Sequence, residues 1–216
     1  MPRVFCSIIA PMAHVAPFDP YILPGQIEGD YDIPVLALDR QAAIIPTPFL
    51  AWGTKPQTTK TGCWHFYVDD YRFNAILNHP ERVLNIARTT TAIVEPNISL
   101  PPAMPRALAI AATWTKRYIS RLFQIAGVFV VADVNVPSDY FDLNLIGIPA
   151  GWSTFATRGY AGNVDRLLHQ ANRLKSFNPN CSLLVYGGGH TIQATCHANG
   201  WNYIPDQATQ HHHAQS

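Results

Sequence analysis

Charge is scarce in this sequence. Asp, Glu, Lys and Arg make up 13% of the chain, and 15 basic residues against 14 acidic ones leave a formal net charge of +1. A chain so balanced does not coat nucleic acid by bulk charge, although a local basic patch remains open to it. The four cysteines, Cys6, Cys63, Cys181 and Cys196, form no Cys-x-x-Cys pair. Reduced thiols in a cytoplasmic protein are therefore expected. Cys63-Trp-His65 and Cys196-His197 are the only close Cys/His pairs, and their spacing fits no standard zinc module, so no metal site is assigned. No apolar run approaches the ~20 residues of a membrane span, and no membrane partner is expected. The N-terminus has one basic residue and a short apolar run followed by prolines, which reads as a strand and not a signal peptide. A Gly-x-Ser-x-Gly elbow, a His-Glu-x-x-His motif, a Walker loop and a dinucleotide fingerprint are all missing. No motif decides whether the chain is an enzyme, and its cofactors stay unknown.

Apolar residues and proline, by contrast, are plentiful. Hydrophobic residues reach 48% of 216, enough for one globular core with a small appendage. The 18 prolines cluster before residue 60 and again around 96–105. Proline removes ladder donors and breaks helices. Residues 1–62 are therefore expected to form an arm of edge strands, with candidates at Val4–Ala10 and Val35–Leu38. Thr54–Gly62 would be a mobile loop or boundary. Residues 63–206 would form the main domain and 207–216 a flexible tail. His211–His213 are set aside from the fold reading.

From Trp64 onward, strand-like and helix-like segments alternate. Strands are expected over 64–68, 91–95, 128–132, 153–157, 181–186 and 201–204. Helical turns fall at 71–77, 80–87 and 138–145, and helices at 104–125, 163–174 and 191–198. In the long helix Met104, Leu108, Ala111, Tyr118, Leu122 and Ile125 mark the apolar face. Lys116, Arg117 and Arg121 read as a solvated basic face. Asn163 is a suitable N-cap, and Gly127 and Gly200 are suitable stops. Such alternation with short connectors implies an α/β fold: a mostly parallel sheet of repeated βα units joined by right-handed crossovers. A partial or distorted (β/α) barrel and a doubly wound sheet both fit, with the barrel-like form favoured.

Either architecture binds ligands at the carboxyl ends of its strands. That rule selects Asp69, Asp70 and Arg72 as candidate catalytic residues. It selects Asn97, Ser99, Asn135, Arg158, Tyr186, Gly187, Gly188 and His190 as candidate ligand-binding residues. Glu95, Asp133 and Thr157 stand at the same exits. Paired carboxylates at 69 and 70 can share a proton or hold a cation. Their ordinary alternative is helix capping and pairing with Arg72 or Arg82. Gly187-Gly-Gly-His190 can cradle a phosphate at a helix start, or serve only as a flexible strand exit.

One family resemblance emerges from these residues. Phe66-Tyr-Val-Asp-Asp-Tyr-Arg-Phe73, Pro80-Glu-Arg82, Glu95-Pro-Asn-Ile-Ser99, Met104-Pro105, Gln124, Gly127, Gly147-Ile-Pro149, Gly159, Pro179 and Tyr186-Gly187 occur in that order. Over roughly residues 65 to 187 the chain resembles the domain of unknown function 4417 family. The resemblance implies a phage or mobile-element setting, and with it the cytoplasm of a bacterial host, but no reaction. Family members usually carry Pro-Asp-Phe-Ser where this chain has Pro96-Asn97-Ile98-Ser99, and often a Trp where it has Asp133-Val-Asn135. The expectation is an accessory protein binding a phosphate-bearing ligand, a nucleotide or nucleic-acid end, at the strand exits. The alternative is a non-catalytic interaction or assembly protein, with a protein partner or homo-oligomer formed through the Pro-rich arm.

Overall fold

The computed structural model describes residues 26–54 and 62–206. The expected strand at 4–10, most of the expected loop at 54–62, the tail at 207–216 and Cys6 lie outside the described residues. The first element is a small antiparallel pair, β1 (Ile27–Glu28) and β2 (Ile33–Pro34). It supplies no strand over 35–38, where a 3₁₀ turn at Leu38–Arg40 forms instead. Pro34 and the bond Val35 N to Gln26 O close that hairpin before a longer strand can run.

The main sheet has seven strands: β3 (Phe49–Ala51), β4 (Cys63–His65), β5 (Ala92–Val94), β6 (Phe129–Asp133), β7 (Thr154–Arg158), β8 (Ser182–Tyr186) and β9 (Asn202–Ile204). They lie side by side in chain order and every neighbouring pair is parallel. A doubly wound sheet would reverse its order part-way. Strictly sequential order with right-handed crossovers sends every helix to one side, and the sheet curls into a half-barrel. β3 comes from the stretch expected to be an arm.

The helices are α1 (Asn74–Asn78), α2 (Val83–Ile86), α3 (Arg106–Ile125), α4 (Phe141–Leu145), α5 (Val164–Phe177) and α6 (Gly189–Asn199), with 3₁₀ turns leading into α1, α2 and α4. Each of α1 to α6 contributes to one shared core. Ile76, Val83, Ile119, Phe123, Phe141, Leu167, Leu174 and Ile192 pack on the outward strand residues Trp64, Ile93, Val130, Phe155, Leu183 and Val185. Burying one such side chain contributes about 1.5–3 kcal/mol. The inward residues form a second cluster, in which the small side chains of Cys63, Ala92, Val94, Val131 and Ala156 accompany Leu184, Tyr67 and Tyr186. Strand residues therefore alternate between the outer core and this inner face.

The apolar face of α3 differs from the sequence expectation. Leu108 and Ile125 are exposed, whereas Ala109, Ala112, Lys116, Arg117, Ile119 and Phe123 are buried. The C-terminal half of α3 is covered by the sheet, by α4 and by β2, so more than one face is shut from water. The expected solvated face of Lys116 and Arg117 is thus corrected: both are buried, and each meets a carboxylate from a strand end.

Gln41 explains a seam in the sheet. Its backbone bridges Val130, and its side-chain oxygen accepts from the amides of Ser153 and Thr154 at the start of β7. The segment wedges between the lower ends of β6 and β7, which pair only at Ala132–Asp133 above it.

Candidate functional site

Parallel strands in one direction put their carboxyl ends on a single rim. Beneath that rim lies a buried ionic layer. Lys116 Nζ donates to Asp133 Oδ2 at 2.8 Å and to the Asp133 carbonyl at 2.9 Å. The guanidinium of Arg117 donates to Glu95 Oε2 and to the carbonyls of Asn144 and Ile146. Glu95 Oε2 also accepts from the Asp133 amide at 3.1 Å. Two cations and two carboxylates balance, which is the condition under which charges tolerate burial. The Tyr67 hydroxyl donates to Asp133 Oδ1 at 3.1 Å, and burial with that carboxylate beside it drives the phenol's pKa well upward.

The inner face of the cup is aromatic. His65 stacks on Phe49 with centroids 4.5 Å apart and tilts against Tyr186 at 4.4 Å, while Tyr67 stacks on Tyr186. Burial, reinforced by the Arg158 guanidinium, pushes the His65 imidazole down to about 3. His65 is neutral, and its Nδ1 accepts from the Tyr67 amide at 3.3 Å.

Above the ionic layer the rim opens between α3 and α5 into a cleft of about 1220 Å³. One wall is apolar: Ile98, Leu100, Pro101, Met104 and Leu108. The other is polar and centres on Asn135. Its amide bonds Asn97 at 3.1 Å, the Tyr160 hydroxyl at 3.2 Å and Arg166 Nη2 at 3.0 Å. Asn135 is itself placed by the ionic layer, since its backbone N–H donates to Asp133 Oδ1 at 3.1 Å. Arg166 and Arg158 both lie over the Tyr160 ring, at 5.0 and 5.6 Å from its centroid.

Of the residues picked from sequence, Asp70, Asn97, Ser99 and Asn135 line this cleft. Asp70 accepts from the Ser99 amide at 3.0 Å and hydroxyl at 2.9 Å, so it holds the 97–100 loop in place. Asp69 is exposed at the N-cap of the turn before α1 and makes no side-chain cap bond. Arg72 turns away toward β3: its carbonyl accepts from Trp52 Nε1 at 3.1 Å, and its guanidinium lies beside Gly53. Arg158 reaches the cleft only through Tyr160. Tyr186, Gly187, Gly188 and His190 stand at the neighbouring exit, that of β8, and outside the cleft lining. There the Asp206 carboxylate sits against Gly187, and Gly188 packs on the Gly159 backbone. Cys63 belongs to the inner face and Cys196 to the outer core. Among the described residues, no three His, Cys, Asp or Glu side chains gather to hold a metal ion. No helix among them is long and apolar enough to cross a membrane.

Sequence reasoning passed over Tyr160, Arg166, Lys116 and Arg117 as site-building residues. Arg166 did leave a signal. It sits in the first turn of α5, three residues after the Asn163 cap, where a cation opposes the helix dipole. Lys116 left another, since it falls in register with Ala109, Ala112, Ile119 and Phe123 on the buried stripe.

A family model described as "Domain of unknown function (DUF4417)" matches residues 26–186. The chain belongs to the DUF4417 family. Curated relatives of the chain come from phages. The DUF4417 chain is 32% identical over 148 residues to the Gene 1 protein of Mycobacterium phage D29, covering 65% of this chain and 54% of that protein. It is 31% identical over 126 residues to the Gene 1 protein of Mycobacterium phage L5, covering 56% and 54%. The chain thus spans about half the length of the curated relatives it matches. No solved structure matches it. The family match takes in every residue of the cleft and ends at Tyr186, before the Gly187 run.

Proposed function

We propose that this DUF4417 chain is a phage or mobile-element accessory protein that binds a phosphate-bearing ligand, a nucleotide or a nucleic-acid end, in the cleft at the strand carboxyl ends. One observation carries the reading: Asn97, Asn135, Tyr160 and Arg166 come from three successive strand exits and the following helix, and join in one hydrogen-bonded group facing a 1220 Å³ cleft. That volume lies just above the range typical of small-molecule sites, so it admits a nucleotide or a short strand end. A base fits the apolar wall of Ile98, Leu100 and Met104, and a phosphate fits the Arg166 side. Asp70 is already spent on Ser99, and Asp69 and Arg72 point elsewhere, so the supported reading is binding, with no hydrolytic step assigned.

Thermal unfolding with nucleoside mono-, di- and triphosphates and a 5′-phosphorylated oligonucleotide tests this. Ligand at a hundred times its Kd adds ~2.7 kcal/mol of stability, a rise in Tm of roughly 5–10 °C. Arg166→Ala removes that rise. A wild-type protein whose Tm no phosphorylated probe moves contradicts the proposal and favours a non-catalytic interaction protein.

A further inference from the structure

The Asn135 amide fixes the polarity of everything around it. An arginine side chain carries donors only. The atom that Arg166 Nη2 meets at 3.0 Å is therefore Asn135 Oδ1. The amide nitrogen of Asn135 then faces its two other partners, donating to Asn97 Oδ1 at 3.1 Å and to the Tyr160 hydroxyl oxygen at 3.2 Å. Both of its hydrogens are used. Asn97 consequently turns its oxygen toward Asn135 and leaves its own NH2 unspent. Tyr160 accepts through oxygen and keeps its hydroxyl hydrogen to give. Arg166 Nε is buried and has no hydrogen-bond partner among the described residues. The polar hydrogens left to give around Asn135 are those of the Asn97 NH2, the Tyr160 hydroxyl and the Arg166 guanidinium.

We infer that Asn97, Tyr160 and Arg166 form a donor-rich clamp on one anionic oxygen group of the ligand, with Asn97 as its specificity-determining residue. The inference rests on the reading of the cleft as a phosphate-binding site, and it names the atoms that would hold the phosphate. All three side chains bond the same amide group, so they converge on one point of the cleft wall. Two guanidiniums, of Arg158 and Arg166, flank the Tyr160 ring and add positive potential. The acidic residues nearby do not reverse this. Asp70 already accepts two bonds from Ser99, and Asp139 and Asp165 are exposed on the cleft's lip.

The test titrates wild type, Asn97→Asp and Asn97→Ser with four probes at pH 7.5: a nucleoside 5′-monophosphate, the matching nucleoside, and one oligonucleotide with and without a 5′-phosphate. Asn97→Asp is nearly isosteric and exchanges the free donor for a carboxylate oxygen. It is expected to weaken both phosphorylated probes at least tenfold and leave the unphosphorylated ones unchanged. Asn97→Ser, which shortens the donor without adding charge, is expected to weaken them less, and carries the test if Asn97→Asp fails to fold. The tighter of the two phosphorylated probes assigns the clamp to a free nucleotide or to a strand end. If wild type binds a phosphorylated probe and Asn97→Asp binds it equally well, the clamp is overturned while the cleft remains a binding site. If wild type binds no phosphorylated probe, the underlying reading falls and the clamp with it.

Discussion

Lys116 Nζ lies 2.8 Å from Asp133 Oδ2, and both side chains are almost wholly shut from water. The pair joins the middle of α3 to the end of β6, and through the Asn135 amide it sets the height of the cleft's polar wall. Removing one partner leaves the other as an uncompensated buried charge, which costs about 3–5 kcal/mol. Lys116→Met is therefore expected to lower stability in urea by about that amount. Adding Asp133→Asn recovers a large part of it, because no charge is then stranded. A Lys116→Met protein as stable as wild type would show that the pair is solvated.

His65 makes stability depend on pH. Its folded pKa of about 3 lies below the ordinary 6.5, so between those values the unfolded chain binds a proton that the folded chain refuses. Stability then rises with pH across that window, with a limiting slope of about 1.4 kcal/mol per unit. The contribution is complete above pH 6.5 and is lost progressively on acidification toward pH 3. Urea midpoints taken from pH 7 to 4 should fall more steeply for wild type than for His65→Phe, which keeps the stack on Phe49. Parallel slopes in the two proteins would count against a buried neutral imidazole.

Much of this fold was legible because its strands and helices carry their periods openly. Val128–Ala132 is apolar throughout, as a strand covered on both faces must be, and it became β6. Asn163 caps α5 through the Arg166 amide, and Gly200 ends α6 in the left-handed region at φ 69°. The parallel direction of the strands followed from the short connectors, whereas their unbroken order, which decides between half-barrel and doubly wound sheet, is visible only in the structure. The face of α3 was less legible. Lys116 and Arg117 look solvated by residue type, and only carboxylates distant in sequence, Asp133 and Glu95, make their burial affordable. The site was half visible for the same reason. Asn97 and Asn135 stand directly at strand ends, but their partner Arg166 sits a loop and a turn beyond β7.

Gly159 and Gly162 separate two uses of glycine. A Cβ at Gly159 would strike the Gly187 carbonyl and the Ile192 side chain, whereas one at Gly162 meets nothing within 4 Å, although Gly162 has φ 75°. Gly159→Ala overpacks a close approach between β7 and β8 and is expected to cost about 1–3 kcal/mol. Gly162→Ala bears only the left-handed backbone penalty, about 1 kcal/mol. Melting curves of the two variants check the order, and a reversed order would mean that the β7 and β8 exits are free to part.

Gln41 carries the seam between β6 and β7. Gln41→Ala removes the acceptor of the Ser153 and Thr154 amides and the donor to the Ser153 hydroxyl at 3.1 Å. Unpaired buried backbone groups cost about 1–3 kcal/mol. Hydrogen exchange at residues 153 and 154 is expected to accelerate in the variant while that of β8 is unchanged. Equal protection in both proteins would mean that the side chain does not pin the strand.

The account turns on where a ligand sits on the rim, and a crystal structure of the protein soaked with a nucleoside 5′-monophosphate measures that directly. The predicted result is phosphate density within hydrogen-bond distance of Asn97 Nδ2 and the Arg166 guanidinium, with the base against Ile98 and Leu100. Phosphate density at the Gly187–Gly189 turn, outside the cleft lining, would contradict it.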